Sequence, residues 1–177
     1  MCKQKTLRNN LIAMCCIWSI SGFNYYLIEF YVKYFPGSVF VNKGFFGLCD
    51  MASIFYLKLL EKKLHRVQLV LRFAFVMTIL SSILYIAFAQ SYLSLIPLMI
   101  GLQRIQLTAA FNYGYHLNQL LFPTLVRGAA FSMTGFVSRP LMGLGPFVTE
   151  YTSNPMLIFL ILSSINLGAT FMIKEPE

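Results

Sequence analysis

Four charged side chains lie inside long apolar runs of this sequence, away from the basic ends of those runs: Glu29, Asp50, Arg104 and Arg139. Each costs roughly 2.5–3.5 kcal/mol at a bilayer centre on insertion scales, so each needs a partner, a protein-lined interior or a water-filled path. Arg139 sits in FSMTGFVSRPLMGLGPF, Phe131 to Phe147, with no other charge in the stretch. It is about midway along its run, where reaching an interface by snorkelling is difficult. Two arrangements answer the cost. The four groups pair with one another, or a fixed positive charge lines a polar path for an anionic group. Both stand for Asp50 and Arg104. For Arg139, whose sequence neighbours are neutral, the second weighs more. His116 lies in an apolar run without a visible partner, which favours a neutral, hydrogen-bonded imidazole over a proton relay.

Aromatic residues recur at helical spacing near these charges. Trp18 and Tyr25 are seven apart, with Tyr26 adjacent, and Phe111 and Tyr115 are four apart, so each set shares a helix face. Ordinary packing explains most aromatics in such a chain; a cavity wall is the sharper reading for this subset. Other chemistry is not encoded. There are no paired carboxylates at hydrolase spacing, no HExxH and no GxSxG, so an enzyme is disfavoured. The cysteines Cys2, Cys15, Cys16 and Cys49 form no CxxC pair and have no histidine at ligand spacing; they read as small buried apolar residues, with no metal and no cofactor implied.

The elements that must position these residues are helices. The 177 residues are 58% hydrophobic and 11% charged, and the mean hydropathy is +0.68. Soluble domains carry about 25% charge, so lipid replaces water around most of the chain. Six stretches reach spanning length: Leu11 to Tyr34, Val39 to Leu60, Val67 to Ala89, Tyr92 to Asn118, Thr124 to Val148 and Pro155 to Ile173. Their links are short, FPGS, EKKLHR, QS, QLLFP and EYTSN, which makes sequential helices antiparallel neighbours in one bundle. Residues 1–10 form an N-terminal flank, 11–173 the bundle and 174–177 a tail. The net charge of +8 falls between the apolar runs rather than on one basic face, so nucleic acid is not the partner. Lys3, Lys5, Arg8, Lys58, Lys62, Lys63, Arg66, Arg72, Arg127 and Lys174 flank one side, and Lys33 and Lys43 the other. The basic side faces the cytosol, and both termini lie there.

Several motifs in register resemble the C-terminal six helices of a major facilitator superfamily transporter, in the organic cation, organic anion and carnitine transporter family of solute carriers. Tyr25-Tyr26, Pro36-Gly37, Asn42, Gly47 and Asp50 are in step with that family's YYG…GG…N…G..E pattern. EKKLHR is similar to its acidic-x-x-GRR loop. Arg104 falls on a lysine of the tenth helix. LLFPTLVR resembles ELYPTxxR, Ser138-Arg139 and Pro146 resemble SR…P, and KEPE is similar to the terminal PET.

The resemblance implies an all-α polytopic membrane protein whose six transmembrane helices form one half of that fold. It implies transport of a small organic ion, anionic or zwitterionic, by alternating access. Trp18, Tyr25, Tyr26, Phe111 and Arg139 would bind substrate, with Arg139 holding a carboxylate at the midplane. Asp50, Glu61, Arg66, Arg104 and Arg127 would serve gating. Partners would be the lipid bilayer, the substrate and an N-terminal six-helix half, in the same longer chain or a separate subunit; the plasma membrane is the implied location. Leu120, Leu64 and Leu27 stand where the family has glutamate, glycine and glycine, and Ile54 where some anion carriers have a lysine. Those losses motivate an alternative: a non-transporting structural or accessory membrane subunit derived from a transporter half.

Overall fold

A computed structural model describes residues 2–64, 66–88 and 96–174, and among them every regular element is helical. The helices are α1 (Cys2–Tyr31), α2 (Val39–Lys63), α3 (Val67–Phe88), α4 (Ile96–Leu121), α5 (Thr124–Met142), α6 (Gly145–Tyr151) and α7 (Pro155–Thr170), with a 3-10 turn at Val32–Tyr34. The expected QS link with its neighbours Ala89 and Tyr92, His65 of the basic loop, and Glu175, Pro176 and Glu177 lie outside the described residues.

Local chemistry explains where the helices stop. After α1 the chain meets Pro36, which has no amide hydrogen to continue a helix. Gly37 follows at φ +97°, a left-handed conformation that disfavours other residues. Asn42 Nδ2 donates to the Pro36 carbonyl at 3.3 Å and closes this turn onto α2. Pro123 precedes α5 and Pro155 opens α7, positions where a missing amide hydrogen costs nothing. α1 extends through Cys2, well into the expected flank at 1–10.

The fifth expected span, Thr124 to Val148, is divided. α5 ends at Met142 and α6 begins at Gly145. Pro146 cannot donate back, and Leu144 N bonds to Leu141 O at 3.1 Å, a tightened turn rather than an α-helical one. Gly143 and Leu144 keep right-handed helical dihedrals, so α6 follows α5 through one tight turn.

Packing repeats under an exchange of elements. α5 packs on α1 as α2 packs on α4, and α7 packs on α1 as α3 packs on α4; the α1–α4 and α3–α7 contacts map onto themselves. The close approaches follow the same exchange. Gly22 of α1 lies under Met142 of α5, and Gly101 of α4 lies under Phe45 of α2; a Cβ at either glycine would come within 1.9 Å and 2.5 Å of those side chains.

Two apolar clusters form the interior. One gathers Met14, Ile17, Leu71, Phe75 and Leu117. The other gathers Leu27, Ile28, Ile100, Leu107 and Phe159. Along α1, α3 and α7 the residues between the clusters are polar and buried: Ser21, Thr78, Ser82, Ser163 and Asn166. Asn24 Nδ2 donates to Ser163 Oγ at 3.1 Å, and Asn166 Nδ2 donates to Ser21 Oγ at 2.9 Å, a reciprocal clasp between α1 and α7. The exterior is the reverse: Leu80, Ile83, Leu84, Leu157, Ile161 and Ile165 are about half exposed. By length and composition, two helices can cross a membrane, over Thr6–Tyr34 and Gln68–Phe88, and Pro155–Thr170 is a shorter apolar helix.

Candidate functional site

α1, α4 and α5 line an open cavity of about 440 Å³. All five residues named as substrate contacts, Trp18, Tyr25, Tyr26, Phe111 and Arg139, line it. The helical spacings account for this: one face of α1 supplies Trp18, Gly22 and Tyr25, and α4 supplies Phe111 and Tyr115. The sequence reading missed Phe131, Asn112 and Ser138, which also line it.

Trp18 anchors the aromatic end. Its ring lies 4.6 Å from Tyr115, 5.0 Å from Phe131 and 5.9 Å from Phe111, centroid to centroid. Gly114 makes this possible, because a Cβ there would lie 2.6 Å from Trp18 Nε1. That nitrogen is buried without a protein acceptor. Tyr25 continues the wall, 6.4 Å from Phe111 and 5.7 Å from Tyr26.

The two arginines have opposite environments. Arg139 lines the cavity and the two neighbouring depressions and is exposed, and its side chain has no hydrogen bond or ion pair with any described residue. Arg104 has a side chain only 3% exposed. Its Nε and Nη2 donate to the two oxygens of Asp50 at 2.9 Å each, a bidentate fork. Its Nη1 donates to Glu29 Oε2 at 2.8 Å, and its Nη2 also donates to the Tyr25 hydroxyl. Lys43 completes the chain of charges, 3.1 Å from Glu29 Oε1.

This network lies directly behind the cavity wall. The Arg104 guanidinium stacks 3.8 Å from the centroid of the Tyr25 ring. Tyr25 donates its hydroxyl to Asp50 Oδ2 at 3.4 Å, and Thr108, another cavity residue, donates to Asp50 Oδ1 at 2.8 Å. For Asp50, Arg104 and Glu29, then, pairing is the answer to the cost of burial, and Arg139 is left outside it. Lys43 and Thr108 were not anticipated. The signal was present: Lys43 and Asp50 are seven apart on α2, Tyr25 and Glu29 four apart on α1, and Arg104 and Thr108 four apart on α4.

The five residues named for gating fall into two groups. Asp50 and Arg104 are joined as described. Glu61 and Arg66 are exposed near the α2–α3 connection and are not ion-paired with each other or with Arg127. Arg127 is half-buried, and its Nε donates to the Phe122 carbonyl at 3.4 Å. A single linked set is therefore not formed by these side chains. His116 is exposed with its ring 5.7 Å from Tyr113, rather than buried in a hydrogen bond. Cys49 is buried, Cys15 half-buried and Cys16 exposed, all as free thiols. Among the described residues, no group of three His, Cys, Asp or Glu side chains is placed to hold a metal.

No protein-family model and no curated protein matches the chain. The functional reading therefore rests on the motifs quoted above and on this geometry.

Proposed function

We propose that this chain is a six-helix half of a major-facilitator-type secondary transporter, and that its cavity takes a small organic anion or zwitterion. The observation that carries the reading is the unpartnered Arg139 on an aromatic cavity wall. A lone guanidinium beside Trp18, Tyr25 and Phe111 offers a forked donor for a carboxylate and flat apolar surfaces for the rest of the molecule. The alternating-access step would move this half against an N-terminal half around the bound ion.

Two further features support the membrane part of the reading. The exterior is apolar while a polar belt sits inside, which suits a bundle dissolved in lipid rather than water. The exchange of α1, α2 and α3 with α4, α5 and α7 matches the two three-helix repeats nested in each half of such transporters. The six-span topology, the cytosolic termini and a plasma-membrane location belong to the same proposal.

Uptake of labelled benzoate into cells producing this chain together with an N-terminal six-helix half of the same fold tests it. Arg139→Ala is expected to abolish saturable uptake while leaving the amount of protein in the membrane unchanged. Uptake unaltered by that substitution contradicts the role of Arg139. A wild-type protein that is stable in the membrane and moves no organic ion favours the accessory-subunit reading, which the unconnected Glu61, Arg66 and Arg127 also favour.

A further inference from the structure

We infer that Asp50 sets the charge of the anion the cavity accepts: by compensating Arg104 behind the wall, it leaves Arg139 as the one effective positive charge and restricts the site to single negative charges. This rests on the reading that the cavity binds an organic anion.

The argument starts from the charge count. Lys43 and Arg104 are positive, Glu29 and Asp50 negative, and the four form one connected chain, so the network is neutral as a whole. Among the described residues, Arg139 is the one charged residue lining the cavity. Arg104 is nonetheless close to that space, since Tyr25 is the side chain its guanidinium stacks on and Tyr25 lines the cavity. A second cation is therefore held in reserve one ring thickness behind the wall.

Asp50 also turns the wall's donors away. Tyr25 and Thr108 both line the cavity, and both give their hydroxyl hydrogens to the Asp50 carboxylate. Ser138 donates to the Gly135 carbonyl at 3.2 Å. An anion in the cavity thus finds Arg139 as its charged donor, with the neutral donors of Asn112, Tyr26, Tyr115 and the unpartnered Trp18 Nε1 beside it.

Replacing Asp50 by asparagine changes the network from neutral to one net positive charge. At a distance on the order of 8 Å and an effective dielectric near 20, one unscreened charge changes the binding of a unit anion by about thirtyfold; screening by water and salt brings this to about tenfold. A dianion gains twice per molecule what a monoanion gains, so the preference shifts by that same factor of about ten.

The test uses the full chain in lipid nanodiscs, with Trp18, the single tryptophan, as fluorescent reporter. The probes are benzoate, with one negative charge, and terephthalate, with two. Wild-type protein is expected to favour benzoate, and Asp50→Asn to shift the ratio toward terephthalate by about tenfold. Asp50→Asn with Arg104→Gln returns the network to neutrality and is expected to restore the wild-type ratio. If Asp50→Asn does not fold, Glu29→Gln raises the net charge equally at a carboxylate whose side chain is 27% exposed, with the same expected direction. A folded Asp50→Asn or Glu29→Gln protein with an unchanged ratio overturns the inference alone. Loss of all Arg139-dependent binding in wild type, read by comparison with Arg139→Ala, overturns the site and the inference together.

Discussion

Arg104 and Arg139 should respond oppositely to truncation, although both are arginines within apolar runs. Arg104→Met removes four hydrogen bonds, two to Asp50 and one each to Glu29 and Tyr25. Glu29 keeps Lys43. Asp50 keeps only the hydroxyls of Thr108 and Tyr25 as partners for its charge. Breaking a buried pair from one side typically costs about 3–5 kcal/mol, because the remaining charge is left uncompensated. Asp50→Leu strands Arg104 in the same way, apart from its bond to Glu29, and should cost roughly as much. The double variant leaves no stranded charge, and Glu29 and Lys43 still balance each other. Its cost should therefore fall below the sum of the single costs by about 3 kcal/mol or more. Reversible unfolding in mixed micelles, followed by far-ultraviolet circular dichroism, measures all three. In the same assay Arg139→Ala should change stability by no more than about 0.5 kcal/mol, because the side chain is exposed and holds no partner. Additivity of the Arg104 and Asp50 costs within about 0.5 kcal/mol would refute the reasoning.

Gly114→Ala places a methyl group 2.6 Å from Trp18 Nε1 and should cost about 1–3 kcal/mol by overpacking, with a shift of the Trp18 emission maximum that Gly47→Ala does not produce. Asn24→Leu breaks half of the α1–α7 clasp and should lower stability by roughly 0.5–2 kcal/mol in micelle unfolding, whereas Ser164→Ala, on an exposed hydroxyl, should be neutral. Single cysteines at Ser38 and Lys62, in a background free of native cysteines, should label with an impermeant maleimide from opposite faces of the membrane; labelling of both from one face contradicts the topology.

The helices were legible because apolar runs of spanning length sit between turn residues such as Pro36-Gly37 and Asn154-Pro155. The cavity wall was legible because Trp18 and Tyr25, and Phe111 and Tyr115, repeat at helical spacing on one face. What the sequence concealed depends on contact between helices. Lys43 and Glu29 are 3.1 Å apart on different helices, and only the packing of α1 and α2 on α4, which carries Arg104, brings them together. The break after Met142 lies between Pro140 and Pro146, and its place is set by Leu144 bonding to Leu141, one residue tighter than an α-helical bond. The exchange of α1, α2 and α3 with α4, α5 and α7 left no repeated motif, because packing constrains side-chain size at positions such as Gly22 and Gly101 and leaves the surrounding residues free to differ.

The most direct test of the central claim is a fluorescence titration of the purified chain in nanodiscs with benzoate, read through Trp18 of the cavity wall. The account predicts a saturable change in wild-type protein that disappears in Arg139→Ala while the helical signal is unchanged. A titration that saturates equally in both proteins would show that the anion is not held by Arg139, and would contradict the account.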